Sequence, residues 1–412
     1  MAERTESAPL RLALVFPEPP LPFGGAAARW YDILLRGLVA RGHRVTAFAV
    51  AGERERDAVR DLFPPGDFDL RLFPPGRGGG LRGRWATLRR PSSRLFGPEL
   101  RAALGEELAR GYDVLHLEQH WSAWLTRAGL GRPETTICNV HYLHRLDGTG
   151  PPATGPAGWK GAVLHRAFER GERRALRAGR CFAALTEPLA AEVRAANPRA
   201  EVWTVPMTID PARYAFRLPE PDDPPTLGLI GNYGWAPTVS AAERLARLWP
   251  AIRERAPGAR LRFVGRSAAG ALSGLNGAPG VEIVGDVPEI APYFHSTAVH
   301  CYAPREGSGM KVKVLESFAF GTPTVTNRHG VEGLPASLAD CTALAETDAE
   351  LVAQTARLLN DPAERRRLAV AARRALETDL AVPPLLDRWE AIHRTIADRR
   401  PAAGGGGPAG GR

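Results

Sequence analysis

Short apolar runs alternate with helical patterns along most of the chain. Residues 10–16 are apolar except for Arg11, and this run predicts a buried strand. Residues 26–41 carry apolar side chains at helical spacing, and Gly42 separates them from a second predicted strand at 44–50. The strand–helix–strand order predicts a parallel sheet with a right-handed crossover. Further strands of this half are predicted at 114–117, 136–140, 182–185 and 202–205.

The same alternation starts again after residues 210–225, which are rich in Pro and Asp and which we interpret as an interdomain linker. The predicted strands of the second half are 227–230, 260–264, 281–284, 299–302 and 323–326, with helices at 240–254, 310–320, 348–359 and 362–376. We therefore predict an α/β protein with two Rossmann-like domains, residues 1–209 and 226–399, that face a cleft. The Gly-, Ala- and Pro-rich residues 400–412 are predicted to be a disordered tail.

The composition narrows the class of protein. With 412 residues, of which 44% are hydrophobic, the chain can bury two cores, which excludes a disordered or coiled-coil protein. Its four cysteines have no CxxC spacing, which argues against a zinc knuckle or a disulfide scaffold and suits a reducing cytosol. The apolar run near the N-terminus is too short for a signal core or a membrane span. We expect a soluble, cytoplasmic protein.

The net charge of +9 does not predict nucleic-acid binding, because no nucleic-acid-binding motif accompanies it. Only three of the 54 basic residues are lysine, and the arginines are spread along the chain. One denser cluster occupies residues 77–94. It is either a solvated loop or a landing site for an anionic acceptor or a membrane surface.

The most informative segment is a glycine-rich loop at residues 304–311, which follows a predicted strand and opens a predicted helix. Two of the three lysines, Lys311 and Lys313, lie in the first turn of that helix, where a cation opposes the helix dipole unless an anion is bound. We interpret the segment as a diphosphate site formed by Arg305, Lys313 and the backbone of Gly307–Gly309. Glu316, one turn beyond Lys313, would accept hydroxyls of a nucleotide sugar ring. The alternative is an ordinary solvated helix start.

Known nucleotide-binding loops differ from this one. The loop lacks the GKS/T ending of a Walker A motif, and neither this loop nor the first strand–loop–helix unit of the chain has GxGxxG. A nicotinamide cofactor is therefore not expected.

The sequence from Gly307 to Val325, GSGMKVKVLESFAFGTPTV, resembles the donor-binding signature of GT-B glycosyltransferases of the large retaining family 4. Gly231-Asn232, Gly265-Arg266 and Gly24-Gly25 lie in loops similar to those of the same family. The resemblance implies GT-B architecture, with a donor held mainly by the second domain and an acceptor mainly by the first. Glu306 and Glu316 are separated by nine residues, where the usual family form has seven.

The resemblance also implies roles for individual residues. Arg266 or Arg305 together with Lys313 would contact the diphosphate, and Glu316 the ribose. His141, which ends a first-domain strand, would touch the donor sugar, so the catalytic set would be His141, Lys313 and Arg266. The residues expected to bind the donor are Gly24, Gly25, Gly231, Asn232, Arg305, Gly307, Ser308, Gly309, Met310, Lys313 and Glu316.

Other polar residues are weaker candidates. His144 is a second candidate for contact with the donor sugar. Glu118 to His120, after the strand 114–117, could meet the acceptor, and Glu332 could border the nucleotide. Asp67-Phe68-Asp69 has the DxD spacing of metal-dependent glycosyltransferases of another fold, and we interpret it as a coincidence. Neither a metal nor another cofactor is expected.

Taken together, these features predict a retaining, metal-independent transferase that uses a UDP- or GDP-linked sugar. The acceptor would be a hydroxyl or another nucleophile of a polysaccharide precursor, a lipid-linked substrate or a small natural product. Two alternatives remain open at this point: a nucleotide-sugar epimerase of the GT-B fold, and a non-catalytic nucleotide-sugar-binding protein.

Overall fold

The computed structural model describes residues 8–63, 69–76, 95–147, 156–218 and 225–399, and these residues form two parallel sheets. The strands of the first sheet are β1 (Arg11–Phe16), β2 (Arg44–Val50), β3 (Asp69–Phe73), β4 (Val114–Glu118), β5 (Thr136–Val140), β6 (Cys181–Ala184) and β7 (Glu201–Thr204). Those of the second sheet are β8 (Thr226–Ile230), β9 (Arg260–Val264), β10 (Val281–Val284), β11 (Val299–Tyr302), β12 (Thr324–Thr326) and β13 (Ala343–Leu344).

Helices connect the strands. In the first half they are Ala26–Ala40, Glu53–Leu62, Pro98–Ala109, Trp124–Arg127, Pro156–Ala178 and Glu187–Ala196. In the second half they are Ala236–Arg255, Ala268–Ala271, Ala291–His295, Val312–Phe320, Ala336–Ala339, Asp348–Asn360, Pro362–Asp379 and Val382–Ala397. Single 3₁₀ turns occur at His120–Ala123, Pro133–Thr135, Pro211–Arg213 and Ser273–Leu275.

Both sheets follow the same order over six strands, and the first sheet has a seventh strand at its edge. The first runs β3-β2-β1-β4-β5-β6-β7 and the second β10-β9-β8-β11-β12-β13, with parallel pairing throughout. In each sheet the order reverses beside the first strand, between β1 and β4 and between β8 and β11. Ligands of open α/β sheets bind outside the carboxyl ends of the strands at such a reversal. The fold thus confirms two Rossmann-like domains, and the loops after β1, β4, β8 and β11 are the ones placed to build a site.

Two strands were not predicted from the apolar pattern. Strand β3 alternates charged and apolar residues and lies at an edge of the first sheet, and β13 has only two residues. Neither sequence carries the continuous apolar run that marks a strand buried on both faces. Every strand with a neighbouring strand on both sides was predicted from its apolar run, and so were the edge strands β7 and β10.

The last helix, Val382–Ala397, belongs in sequence to the second half but packs on the first sheet. Its Trp389 is fully buried, with ring centroids 4.6 Å from His116 of β4 and 6.5 Å from Trp30. Gly37 permits this approach, because a Cβ there would lie 2.3 Å from a methyl carbon of Leu386. The chain therefore returns to the first domain at its last helix, so the two domains are connected at both ends of the second one.

The structure also bears on the cysteines, on membrane-spanning helices and on the segments singled out by composition. All four cysteines are buried free thiols. Within the described part of the chain, no helix combines the length and apolarity that a membrane crossing requires. The arginine-rich residues 77–94, Asp67 and the tail 400–412 lie outside the described residues, as do linker residues 219–224.

Candidate active site

A cavity of about 950 Å³ opens between the carboxyl ends of the two sheets. Both domains line it, and it gathers most of the residues that the sequence singled out. The predicted residues on its wall are Gly24, Gly25, His141, Gly231, Asn232, Arg266, Ser308, Met310, Lys313 and Glu316. Arg305, Gly307 and Gly309 are not part of the wall, and Arg305 and Glu306 are exposed to solvent.

Lys313 enters the cavity from the first turn of helix Val312–Phe320. Its ammonium donates a hydrogen bond to Thr238 Oγ1 at 2.6 Å and lies 4.1 Å from the ring centroid of Tyr302 and 4.8 Å from that of Trp235. Burial and the nearby ammonium of Lys311, opposed by Glu316, lower the pKa of Lys313 to about 7. No carboxylate in the described residues forms an ion pair with Lys313. A bound anion would therefore stabilise its charged form.

Arg266 follows strand β9, at the position that the sequence analysis gave it. Within the described residues its guanidinium has no ion pair, and the side chain is exposed on the cavity wall. Gly265, at a φ of 129°, brings β9 so close to β8 that a Cβ there would lie 2.1 Å from the carbonyl oxygen of Gly231. This close crossing places the Arg266 side chain beside the loop after β8.

The glycine-rich loop differs from the predicted phosphate cradle. Asp147 Oδ1 of the first domain accepts from Ser308 N at 2.8 Å and from Ser308 Oγ at 2.6 Å. Glu332 Oε1 accepts from Gly309 N at 3.2 Å and from Thr186 Oγ1 at 2.6 Å. Two backbone N–H groups expected to bind diphosphate are thus occupied by carboxylates of the protein, and the loop is part of the domain interface.

The two lysines of this segment consequently do different things. Lys311 is only 1% exposed and donates to the carbonyl oxygens of Gly309 at 2.5 Å and Gly307 at 3.4 Å. Burial lowers its pKa to about 8, although Glu332 opposes that shift. Lys311 holds the loop from the inside, whereas Lys313 points its charge at the cavity.

Two glycines of the loop allow close packing, Gly309 against the first domain and Gly307 within the second domain. Gly309 has a φ of 74°, and a Cβ at this position would lie 2.0 Å from the carbonyl oxygen of His141. Gly307 has a φ of 125° and faces Pro237. Both residues need the left-handed backbone region that glycine adopts without strain.

Glu316 lies one turn after Lys313, as predicted. Its Oε1 accepts a hydrogen bond from Arg29 Nη1 at 2.5 Å, so a first-domain side chain reaches this carboxylate. Arg29 lies in the first turn of helix Ala26–Ala40, directly after Gly24 and Gly25. The two glycines therefore bring that helix start to the cavity, and Arg29 makes the contact to the second domain.

His141 ends strand β5 and faces the cavity from the first domain. Its Nε2 lies 2.5 Å from Glu118 Oε2, and Glu118 also accepts from Trp30 Nε1 and Asn139 Nδ2. Burial acts to raise the pKa of Glu118, but His141 and His116 outweigh it and hold that pKa at about 2. Glu118 thus stays ionised and fixes the orientation of His141, leaving Nδ1 as the ring nitrogen for a ligand.

Three other candidates near His141 do not reach the cavity, in contrast to the sequence prediction. Glu118 and His120 are fully buried and do not line the cavity, so neither can meet an acceptor there. His144 contacts His165 at 3.0 Å instead of the cavity. Gln119, between the two buried residues, does reach the wall, with the unusual φ of 60°.

Three functional candidates were missed: Arg29, Asp147 and Thr238. Each meets its partner in another part of the chain, from 75 residues away for Thr238 to 287 for Arg29, and no local pattern marks such a pair. Glu332, a weaker candidate, borders the loop and not the cavity.

Of the DxD spacing, only Asp69 is among the described residues. Asp69 pairs with Arg71 at 2.7 Å on the edge strand β3. In the described ranges, the His, Cys, Asp and Glu side chains form no group of three or more suited to a metal ion.

The fold and this cleft define a GT-B protein, and comparison with known families agrees. A family model described as glycosyl transferases group 1 matches residues 224–361, and a model described as glycosyltransferase family 4 matches residues 23–213. The chain belongs to the group 1 glycosyltransferases of the GT-B fold. It is therefore an enzyme of glycosyl transfer, as the resemblance of its glycine-rich loop implied. Among curated proteins, no match to the sequence was found.

Solved structures show the same architecture. Anabaena HepE in complex with UDP and glucose is 13% identical, with a TM-score of 0.63 over 93% of this chain and 100% of that one. A TarM mutant from S. aureus, in complex with fondaparinux, α-GlcNAc-glycerol and UDP, is 8% identical, with a TM-score of 0.65 over 93% and 100%. The trehalose 6-phosphate synthase of Burkholderia multivorans is 14% identical, with a TM-score of 0.59 over 95% and 98%. At these identities the similarity is one of fold.

Replacing Gly309 by alanine tests whether the loop is built for packing against the first domain. The added Cβ would overlap the His141 carbonyl and occupy a strained backbone region, so Gly309→Ala should cost more than about 1 kcal/mol of unfolding free energy. Chemical denaturation measures this cost. Gly270→Ala is the matched control, because a Cβ there meets open space. Equal stability of the two variants would contradict the described interface.

Proposed function

We propose that this glycosyltransferase moves a sugar from a UDP- or GDP-linked donor to an acceptor nucleophile with retention of configuration and without a metal ion. The observation that carries the proposal is that Arg266, Lys313 and Glu316 of the second domain and His141 of the first line the same interdomain cavity. The cations suit a diphosphate, and the carboxylate suits the hydroxyls of a ribose. The UDP bound by HepE and by the TarM mutant supports this choice of donor.

Arg266 and Lys313 would neutralise the charge of the departing diphosphate. As the bond between the anomeric carbon and the diphosphate oxygen breaks, negative charge grows on that oxygen. Arg266 and Lys313 are placed to stabilise it, and the hydrogen bond to Thr238 and the aromatic rings around Lys313 hold its ammonium in position beforehand. The protein thus supplies positive charge from its own side chains at the point where the charge develops.

The anomeric configuration is retained because the acceptor attacks the face of the sugar from which the diphosphate departs. The acceptor oxygen forms its bond to the anomeric carbon on that face, and its proton passes to the departing phosphate oxygen. No protein base is needed in this step. His141, held by the ionised Glu118, would contact the donor sugar and fix its position against the acceptor.

The acceptor would enter from the first-domain side of the cavity, where Phe23 is 51% exposed beside Gly24. A small natural product and a lipid-linked sugar are both compatible with this open side. A cytoplasmic location, with peripheral contact to a membrane, agrees with the proposed use of a nucleotide-linked donor.

The proposed function is tested by turnover with UDP- and GDP-sugars. Lys313→Ala and Arg266→Ala should each lower kcat/KM by about 10²–10³, because each removes charge stabilisation from the transition state. Arg328→Ala, at a side chain 74% exposed, is the control and should keep the wild-type value. NMR of the product should show the donor's anomeric configuration, and EDTA should leave the rate unchanged. An inverted product, or loss of activity in EDTA, would contradict the proposal.

The lowered pKa of Lys313 makes donor binding depend on pH. Above pH 7 the free site carries a neutral Lys313, and a bound diphosphate favours the ammonium, so binding must take up a proton. Between pH 7.5 and 9, where UDP itself is fully ionised, the Kd for UDP should rise by about tenfold per pH unit at most. Calorimetry in buffers of different ionisation enthalpy measures the proton uptake directly.

Lys313→Arg is the matched variant for this measurement, since a guanidinium stays charged throughout the range. Its UDP affinity should not change with pH. Proton uptake that persists in Lys313→Arg would assign the effect to another group, such as Lys311. A wild-type Kd that is constant from pH 7.5 to 9 would contradict the described environment of Lys313.

A further inference from the structure

The ion pair between Arg29 and Glu316 joins the two domains inside the cavity. The two side chains are 14% and 9% exposed, and the guanidinium Nη1 lies 2.5 Å from Glu316 Oε1. The same Nη1 donates to Tyr214 Oη of the linker at 2.9 Å. One first-domain arginine therefore meets both the linker and the second-domain carboxylate proposed to bind ribose.

The surroundings of this ion pair fix its charge and its geometry. Burial would lower the pKa of Arg29, but Glu316 and Tyr214 raise it above its ordinary value. Burial raises the pKa of Tyr214, and so does Glu316, so its hydroxyl stays protonated and accepts from Arg29. The Tyr214 ring also packs against Phe320, at the end of the helix that carries Glu316.

The contact leaves half of the carboxylate available. A carboxylate has two oxygens, each able to accept hydrogen bonds. Arg29 bonds to Oε1, and among the described residues no donor forms a hydrogen bond to Oε2. Because Glu316 lies on the cavity wall, an Oε2 with its orientation fixed through Oε1 is suited to accept the hydroxyls of a ligand.

We infer that Arg29 is a positioning residue: it holds Glu316 so that the second domain recognises ribose only when the first domain is docked against it. The inference rests on the proposed function, since it takes Glu316 as the ribose ligand. Arg29 does not itself contact the nucleotide. The first domain thus contributes to donor selectivity through a second-domain side chain.

The test measures discrimination between ribose and its deoxygenated form. Calorimetry gives the Kd of UDP and of 2′,3′-dideoxy-UDP, or of the guanosine pair if GDP binds more tightly. We expect the wild-type enzyme to prefer the ribose form by tenfold or more and Glu316→Gln to lose most of this preference. Arg29→Gln should reduce the preference by at least fivefold while binding of the dideoxy form changes little, and Arg29→Lys should restore part of it.

Arg41→Gln is the matched control. Arg41 follows the opposite, C-terminal end of the same helix and also bonds to a distant part of the chain, Asp387 at 2.8 Å and the carbonyl of Pro383, but it is not on the cavity wall. Its removal should leave the ribose preference at the wild-type value. Tyr214→Phe, which removes only the second partner of Arg29, should have a smaller effect than Arg29→Gln in the same direction.

The outcomes separate the inference from the proposed function. Equal weakening of both nucleotides in Arg29→Gln would show that Arg29 binds the diphosphate directly, and an unchanged preference would show that it does not position Glu316. Either result overturns the inference and leaves the proposed function standing. If the wild-type enzyme binds neither UDP nor GDP, the proposed function fails and the inference fails with it.

Discussion

Three side-chain carboxylates form hydrogen bonds across the domain interface, and the shape of the cavity depends on these contacts. Asp147 bonds to Ser308, Glu332 to Thr186, and Glu316 to Arg29, so three separate contacts set the two sheets against each other at their carboxyl ends. Each contact includes a charged group that is largely withdrawn from water, and a buried charge is tolerated when hydrogen bonds satisfy it. Opening the cleft would break all three, so domain closure and the shape of the donor site are one physical event.

The same interface explains why the two lysines of the glycine-rich loop differ. The N–H groups of Ser308 and Gly309 already bond to carboxylates, so the loop cannot also be the main binding site for an anion. The ammonium of Lys311 is likewise occupied, because it donates to carbonyl oxygens of the same loop. The charge left for a ligand is that of Lys313 and Arg266. Glu118 plays the corresponding part in the first domain, since it is ionised, fully buried and used to orient His141.

The sequence predicts this architecture well wherever the information is local. Continuous apolar runs mark the central strands, and the spacing of Lys313 and Glu316 on one helix is enough to propose a nucleotide site. The edge strand β3, with alternating charges, carries no such run. Arg29 and Asp147 could not be predicted, because they are 287 and 161 residues from their partners, Glu316 and Ser308. These pairs come into contact only when the two domains are docked. The backbone of Gly309 was predicted to bind diphosphate, but its N–H bonds to Glu332 and its Cα faces the His141 carbonyl.

A crystal structure of the enzyme with UDP bound would show which groups hold the diphosphate. We expect diphosphate oxygens within hydrogen-bond distance of Lys313 Nζ and the Arg266 guanidinium, ribose hydroxyls on Glu316, and an intact bond between Asp147 and Ser308. Diphosphate seated on the N–H groups of Ser308 and Gly309, with Asp147 and Glu332 displaced, would contradict this expectation, and so would UDP bound outside the cavity.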